Sequence, residues 1–281
     1  MVEGVNTPSQ FTLQAQYSLD QLSARLDQFI DLVGLQCRGQ GTAEASWTRE
    51  QDRFRVEGTA AVNGFELLCP GYPTWTEKQL VVGVRALGRA AGLSIASLDE
   101  ATVGLESAGD QLTARLTAPV ADLTNPQAVL PLVVEGRGQL ATWLARLRPF
   151  AGIPAMVSAD GQVELNAVGE IRLPQEVTIV QSKLTAKPLR LAMPGLAIDE
   201  PAGELTLVGR YHPDRTEVRE ATLNSVGTQA ALRNFAYIPG QGRSSGAARR
   251  TRVARRPRQV ARRFLRDRFL EYDAAALRRP H

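Results

Sequence analysis

The chain has little of what catalytic and metal sites are built from. It holds two histidines, His212 and the terminal His281, and two cysteines, Cys37 and Cys69, with no CxxC spacing. A zinc-type cluster cannot be assembled from these. No run of about 18 apolar residues occurs, so no membrane-spanning helix is expected. Residues 1–20 lack the basic start and apolar middle of a secretory signal and read directly as strand and helix. Aromatic residues make up only 6% of the chain, so Val, Leu and Ala must carry the core. Only Lys78, Lys183 and Lys187 stand against thirty arginines, as a GC-rich gene would give. Cys37 and Cys69 either pair in an oxidising compartment or stay as small buried thiols, the second being favoured.

The net charge of +4 sums two unlike parts. From Gly240 to His281 there are thirteen Arg, no Lys and three acids. The rest is mildly acidic, so the pI near 9.4 belongs to the tail. Composition changes at Pro239-Gly240, which sets the one firm boundary.

What the chain does have is repetition. Leu22 to Gly34 is a helix-like run closed by Gly, and Leu140 to Gly152 has the same shape. Pro-Gly turns come next at Pro70-Gly71 and Pro194-Gly195, and Glu100-Ala-Thr102 recurs as Glu220-Ala-Thr222, an offset of about 120 throughout. Stacked repeats form continuous surfaces, which directs attention to an extended binding face. Residues 1–125 and 126–239 are taken as two units, and 240–281 as an Arg-rich tail.

Between the helices the pattern alternates with period two. Phe54, Val56 and Val62 fall on one side of a strand, with Arg55, Glu57 and Thr59 on the other. Leu80, Val82 and Val84 repeat this, as do Leu112, Ala114 and Leu116, then Val163, Leu165 and Ala167, Val177 and Ile179, and Leu205 and Leu207. Asn63-Gly64, Ala108-Gly109, Asp160-Gly161 and Pro194-Gly195 read as turns between short strands, which should pair antiparallel. Each unit opens with a strand, Phe11 to Tyr17 or Leu130 to Glu135, running into one helix. The helices carry Leu22, Leu26, Phe29, Ile30 and Val33, and Leu140, Trp143, Leu144 and Leu147, with Pro149 ending the second.

The run Val133-Val-Glu-Gly-Arg-Gly-Gln-Leu-Ala-Thr-Trp-Leu, the closing Ala151-Gly152 and the stretch from Val157 to Gly169 resemble the AsmA-like and TamB-type envelope proteins of didermic bacteria. The pattern recurs at Leu35 to Gly71, and the likeness spans roughly residues 5–238. It implies a curved β-groove with an apolar interior that carries lipid at the cell envelope, on the periplasmic side of the inner membrane. Members are longer and begin with an anchor, so the chain resembles an internal piece of a larger protein or a truncated copy. Taken as encoded, with no signal or transmembrane segment, it would be cytoplasmic.

The expected fold is therefore mainly β with two short helices: antiparallel amphipathic strands in two tandem helix-plus-sheet repeats, then a basic helical or disordered tail. The apolar face must either be covered by a second sheet, giving a closed sandwich, or curl into a groove for acyl chains. Its candidate lining is Phe54, Val56, Val62, Leu80, Val82, Val84, Val163, Leu165, Val177, Ile179, Leu205 and Leu207. The alternative is a ligand-free β-sandwich module that scaffolds other envelope proteins.

Chemical motifs are mostly rejected. Gly136-Arg-Gly138-Gln-Leu-Ala141 has the spacing of a dinucleotide fingerprint, but it leads into hairpin-linked strands rather than a parallel βαβ unit. His212 lies in the turn-like Tyr211-His-Pro-Asp214, and Glu100, Glu106, Glu164 and Glu176 read as solvated. No enzyme activity, cofactor or metal is expected. In the tail, Arg255, Arg256, Arg258, Arg262, Arg263, Phe264, Arg266 and Phe269 fall in a basic amphipathic pattern. Three readings stay open: an anionic membrane surface, an out-of-frame extension, and nucleic-acid phosphates, the last set lowest.

Overall fold

A computed structural model describes residues 10–26, 36–68, 74–92, 94–151, 153–172, 176–212, 214–238 and 243–252. The elements are β1 (Gln10–Ser18), α1 (Leu19–Leu26), β2 (Gln36–Glu50), β3 (Arg53–Leu68), β4 (Trp75–Ala91), β5 (Ser94–Ser107), β6 (Asp110–Leu116), β7 (Val129–Gln139), α2 (Leu140–Ala151), β8 (Ser158–Arg172), β9 (Glu176–Met193), β10 (Leu196–Glu200), β11 (Gly203–His212), β12 (Arg215–Ser225), β13 (Thr228–Ile238) and β14 (Arg243–Arg252). All the strands belong to one antiparallel sheet in which spatial order follows chain order, except that β10 pairs with β9 alongside β11. The protein is mainly β with two short helices, as its alternation dictates.

The strands are longer than the sequence suggests. β2, β3, β4 and β9 run 15, 16, 17 and 18 residues, about 50–60 Å at 3.3 Å per residue. Two dipeptides expected to be turns lie inside strands. Asn63-Gly64 sits within β3, where Gly64 takes φ +60°. Asp160-Gly161 sits within β8, where the register shifts between Asp160 and Gln162. A bulge needs the same glycine freedom as a turn, so the dipeptide alone does not separate them. Ala108-Gly109 and Pro194-Gly195 are turns, with Ala108 and Gly109 both at positive φ, as a two-residue hairpin requires.

The two halves match position by position. β2 and β8 are equally long, and each carries a glycine at the same place with nearly the same backbone, Gly39 at φ +137° and Gly161 at φ +133°. Gly41 pairs with Val62 as Val163 pairs with Ala186. Phe65 pairs with Glu77 as Leu189 pairs with Glu200. By this register β10 and β11 together correspond to β4, with Pro201-Ala202 standing where β4 carries Lys78-Gln79. Two hydrophobic clusters are the same cluster repeated. Val62, Phe65 and Leu67 with Trp75, Leu19 and Leu105 correspond to Ala186, Leu189 and Leu191 with Ile198, Leu140 and Leu223. The strand exits align Leu19 with Leu140, placing α1 one turn earlier than the glycine spacing suggests; Phe29, Ile30, Val33 and the Pro70-Gly71 turn lie outside the described residues.

Two other expectations are corrected. α2 continues through Pro149 to Ala151; a proline removes one hydrogen bond, which the last turn of a helix tolerates better than its interior. The composition break at Pro239-Gly240 is not the end of the sheet. Residues 243–252 form β14, paired with β13 from Thr228↔Arg252 to Ile238↔Arg243. Arg-rich composition hid this strand, because antiparallel pairing needs only a ladder of backbone groups. Counted along the sheet, β14 stands where β1 and β7 stand, at the opening of a unit.

Gly161 is the tightest of the bulge glycines. A Cβ there would lie 1.7 Å from the Pro188 carbonyl oxygen, whereas one on Gly83 would meet nothing within 4 Å. Gly161→Ala is expected to lower stability by at least about 2 kcal/mol in urea titration. Gly83→Ala should stay within about 0.5 kcal/mol of the parent. Equal losses would contradict the assignment of Gly161 as a close-approach bulge.

Candidate functional site

Cross-strand partners share a face of the sheet, so the register places each candidate residue. Val56, Val62, Ala60 and Gly58 pair with Ala86, Leu80, Val82 and Val84. Val82 and Val84 pair with Leu105 and Val103, and Leu105 with Leu112. Leu112 pairs with Gly136, and Gly136 with Leu165. Leu165 pairs with Leu184, and Ile171 and Gly169 with Val177 and Ile179. Leu184 pairs with Leu205, and Leu207 pairs with Ala221 one alternation along. All twelve predicted lining residues therefore fall on one face. Phe11, Leu13, Trp47, Ile171, Leu232 and Phe235 join them by the same ladder.

The opposite face is polar. It carries exposed pairs such as Arg85–Glu57, Lys183–Glu204 and Arg233–Glu220, each worth little to stability but enough to keep that face in water. Glu164 lies there too, opposite Arg137.

Among the described residues no second sheet covers the apolar face. Among the described residues no large side chain is buried to below 2% exposure, and on the apolar face Val84, Val103 and Leu13 are 40%, 46% and 52% exposed. A sandwich of two sheets would bury such positions. The closed-sandwich expectation is thus replaced by a single open sheet. At the end remote from the helices, Phe11, Trp47 and Phe54 stack across β1, β2 and β3, the last two with ring centroids 4.8 Å apart. A depression of about 560 Å³ at the same end of β9, β11, β12 and β13 draws its lining from both faces, Ile179, Val218 and Phe235 together with Arg210, Arg215 and Glu217. Dips of about 400 and 570 Å³ over the polar face are lined by groups such as Gln14, Glu44, Glu135 and Lys183.

The helices close the other end. α1 contributes Leu19 to the first hydrophobic cluster, and α2 contributes Leu140 to the second. Six residues beyond Leu140, Arg146 reaches β4. In a flat sheet β4 and β9 stand five spacings apart, about 24 Å, while six residues of helix rise about 9 Å. One short helix touches both because the sheet curls towards it.

Arg146 is the residue that sequence reading missed. The residue is buried, at 3% exposure. Its Nε donates to Glu77 Oε1 at 2.7 Å, and its Nη1 lies 2.8 Å from Asp110 Oδ2, as an ion pair without hydrogen-bond alignment. The Trp143 ring lies 4.7 Å below it. Glu77 also accepts from Trp75 Nε1 at 2.7 Å and Ser107 Oγ at 2.6 Å. Asp110 accepts from the Gln139 N–H at 2.8 Å, and Gly138 is required there because a Cβ would lie 2.0 Å from Asp110 Oδ1. That accounts for the glycine in the rejected dinucleotide motif. The cluster joins the end of the first unit to the helix of the second across the groove end.

The other positions singled out in the sequence lie apart from this cluster. His212 bonds Asp214 in the exposed turn between β11 and β12. Cys37 packs on the first cluster, where burial pushes its thiol pKa up, away from thiolate reactivity; Cys69 lies outside the described residues. So do Arg255, Arg256, Arg258, Arg262, Arg263, Phe264, Arg266 and Phe269. No group of three or more metal-ligating side chains occurs among the described residues, and no described helix is long and apolar enough to cross a membrane. No protein-family model matches the chain, and no curated protein or solved structure matches it either.

Burial raises the Glu77 pKa, but the hydrogen bonds from Arg146, Ser107 and Trp75 and the Arg146 charge outweigh it, leaving the carboxyl below its ordinary value. A carboxyl depressed in the folded state stabilises the fold above its unfolded pKa of about 4.3. That contribution is lost as pH falls through the lower folded value. Denaturation series between pH 7 and pH 2.5 should show a steeper acid-side loss in the parent than in Glu77→Gln. Parallel pH profiles would contradict the pairing. Arg146→Ala, which strands two buried carboxylates, should cost about 3–5 kcal/mol.

Proposed function

We propose that the chain is a non-catalytic lipid-handling protein of AsmA-like type, binding acyl chains along its apolar sheet face at the bacterial cell envelope. The observation that carries the reading is the uninterrupted apolar face, continuous across both units and left half-exposed between the helix-capped end and the aromatic stack. A contiguous apolar surface of this size is satisfied in water only by an apolar occupant. Each methylene buried against it contributes roughly 0.8 kcal/mol. Walls built from the same Val, Leu and Ala pattern in both units offer similar sites along the groove, so a chain can slide without a deep trap. Such binding needs no nucleophile, acid–base pair or cofactor. Of the charged groups that the register sets on this face, Glu77, Asp110 and Arg146 neutralise one another beneath α2, Arg49 is turned to the carbonyls of Gln51, Ala90 and Gly92, Glu200 accepts from the Gly227 N–H, and Arg250 stands opposite Ala230. The headgroup would remain in water at the groove rim.

Native mass spectrometry of the full chain, followed by lipid extraction, tests this. Phospholipid is expected to co-purify with the parent and to be lost in Leu165→Asp, with far-UV circular dichroism unchanged. A parent that stays free of lipid after incubation with phospholipid, or a folded Leu165→Asp that still carries it, would overturn the reading.

A further inference from the structure

Of the fourteen described strands, β1 is the one without a charged residue, and it lies at an edge of the sheet. Its sequence is Gln-Phe-Thr-Leu-Gln-Ala-Gln-Tyr-Ser. An edge strand turns every second N–H and C=O outward, and proteins guard such a row with charge, proline, a bulge or a very short strand. β1 has none of these. It holds no Gly or Pro, and it pairs with β2 over nine consecutive residues, from Gln10↔Thr48 to Ser18↔Gln40, without a register shift. Among the described residues nothing pairs with its outer side. α1 turns inward over β2 and sets Leu19 against the first hydrophobic cluster, away from that edge.

The other edge is guarded. β14 carries Arg243, Arg249, Arg250 and Arg252, and its register with β13 shifts between Arg233 and Ala236. Two β14 strands side by side would oppose like charges. A β1–β14 contact with the apolar faces aligned would set Arg250, which stands opposite Ala230, against a strand whose residues on that face are Phe11, Leu13, Ala15 and Tyr17.

What β1 fits is a second copy of itself. Antiparallel pairing centred on Gln14 uses the whole strand. Phe11 then meets Tyr17 of the second copy, Leu13 meets Ala15, Thr12 meets Gln16, and Gln14 meets Gln14. Odd-numbered residues face odd-numbered ones, so the apolar faces of the two copies lie on the same side. Phe11 and Leu13, 49% and 52% exposed, gain apolar neighbours. On the other face Thr12, Gln14 and Gln16, all exposed, meet uncharged groups that both donate and accept. Such a junction makes about ten backbone hydrogen bonds, as many as a typical specific interface carries.

We infer that the chain forms a two-fold dimer through β1, joining two sheets into one with a continuous apolar face. The inference is independent of what that face binds.

Sedimentation equilibrium of the full chain at low salt tests it. The parent is expected to be a reversible monomer–dimer system that stops at two copies. The triple variant Thr12→Lys, Gln14→Lys, Gln16→Lys places three like-charge pairs across the junction. Its dimer dissociation constant should rise roughly a hundredfold, with far-UV circular dichroism unchanged. Gln14→Lys alone, which faces Glu44 within its own chain, should raise it up to about fivefold. The matching triple variant with glutamate should also be weakened, and an equimolar mixture of the lysine and glutamate chains should dimerise again. A parent that stays monomeric at its solubility limit would overturn the inference. So would a folded lysine variant that dimerises like the parent, or a mixture no more associated than either chain alone. Association that grows past two copies would also overturn it and assign the β1 edge to β14 of the next copy.

Discussion

Everything in this protein depends on the faces of one antiparallel ladder staying in phase. A slip of one residue between any two strands would exchange an apolar face for a polar one from that point onward. The chain avoids this over an unusually wide sheet by joining neighbours in sequence order. Several of the irregularities, as between Val168 and Gly169 or Leu87 and Gly88, sit at glycines whose missing Cβ lets a partner carbonyl approach: a Cβ on Gly88 would lie 2.1 Å from the Ser97 oxygen, and one on Gly169 2.5 Å from the Thr178 oxygen. The bulges bend and twist the long strands without mixing the faces. A single amphipathic sheet of this width becomes a groove because, among the described residues, two short helices are all that lies over its apolar side.

Repetition solves the problem of ending such a groove. Each unit brings one helix, too small to cover the face but sufficient to plug one end. The plug is held by the unit before it. Glu77 and Asp110 belong to the first unit and Arg146 to the second, so the ion cluster fixes the sequence of units in space as well as the position of α2. Burying three charges is costly, and apolar replacements of similar shape are often no worse for stability. What the cluster supplies is direction: an arginine on a helix meets a carboxylate on the preceding hairpin, and the helix lies across the groove end in one orientation.

The groove face was legible in the sequence because period-two alternation is local. Leu80-Val82-Val84 and Val163-Leu165 declare their side without knowledge of their neighbours, and the register then brings all of them to one face. The repeat was legible only in outline: the correspondence of Leu105 with Leu223 sets Glu220 in the place of Thr102 rather than Glu100, and the Pro70-Gly71 marker lies outside the described residues. Bulges were not legible: Asn63-Gly64 and Asp160-Gly161 are spelled like turns, and only continuing pairing shows otherwise. The Arg146 junction joins residues 69 apart in sequence, and Glu77 sits in Thr-Glu-Lys-Gln, which reads as solvated strand. Its one available signal was the recurrence of Ala-Arg-Leu at Arg25 and Arg146. β14 was hidden by its arginines, whose composition suggested a tail while the backbone continued the ladder.

Lipid bound as proposed lies on one face of the sheet and not on the other. Adjacent residues on β4 separate the two, because Val84 belongs to the apolar face and Arg85 to the polar one. A photoreactive phenylalanine analogue placed at each position in turn, irradiated in the purified protein and read by mass spectrometry, would measure this directly. A phospholipid adduct is expected at position 84 and none at position 85. Adducts of equal yield at both, or at neither, would refute a one-sided lipid groove.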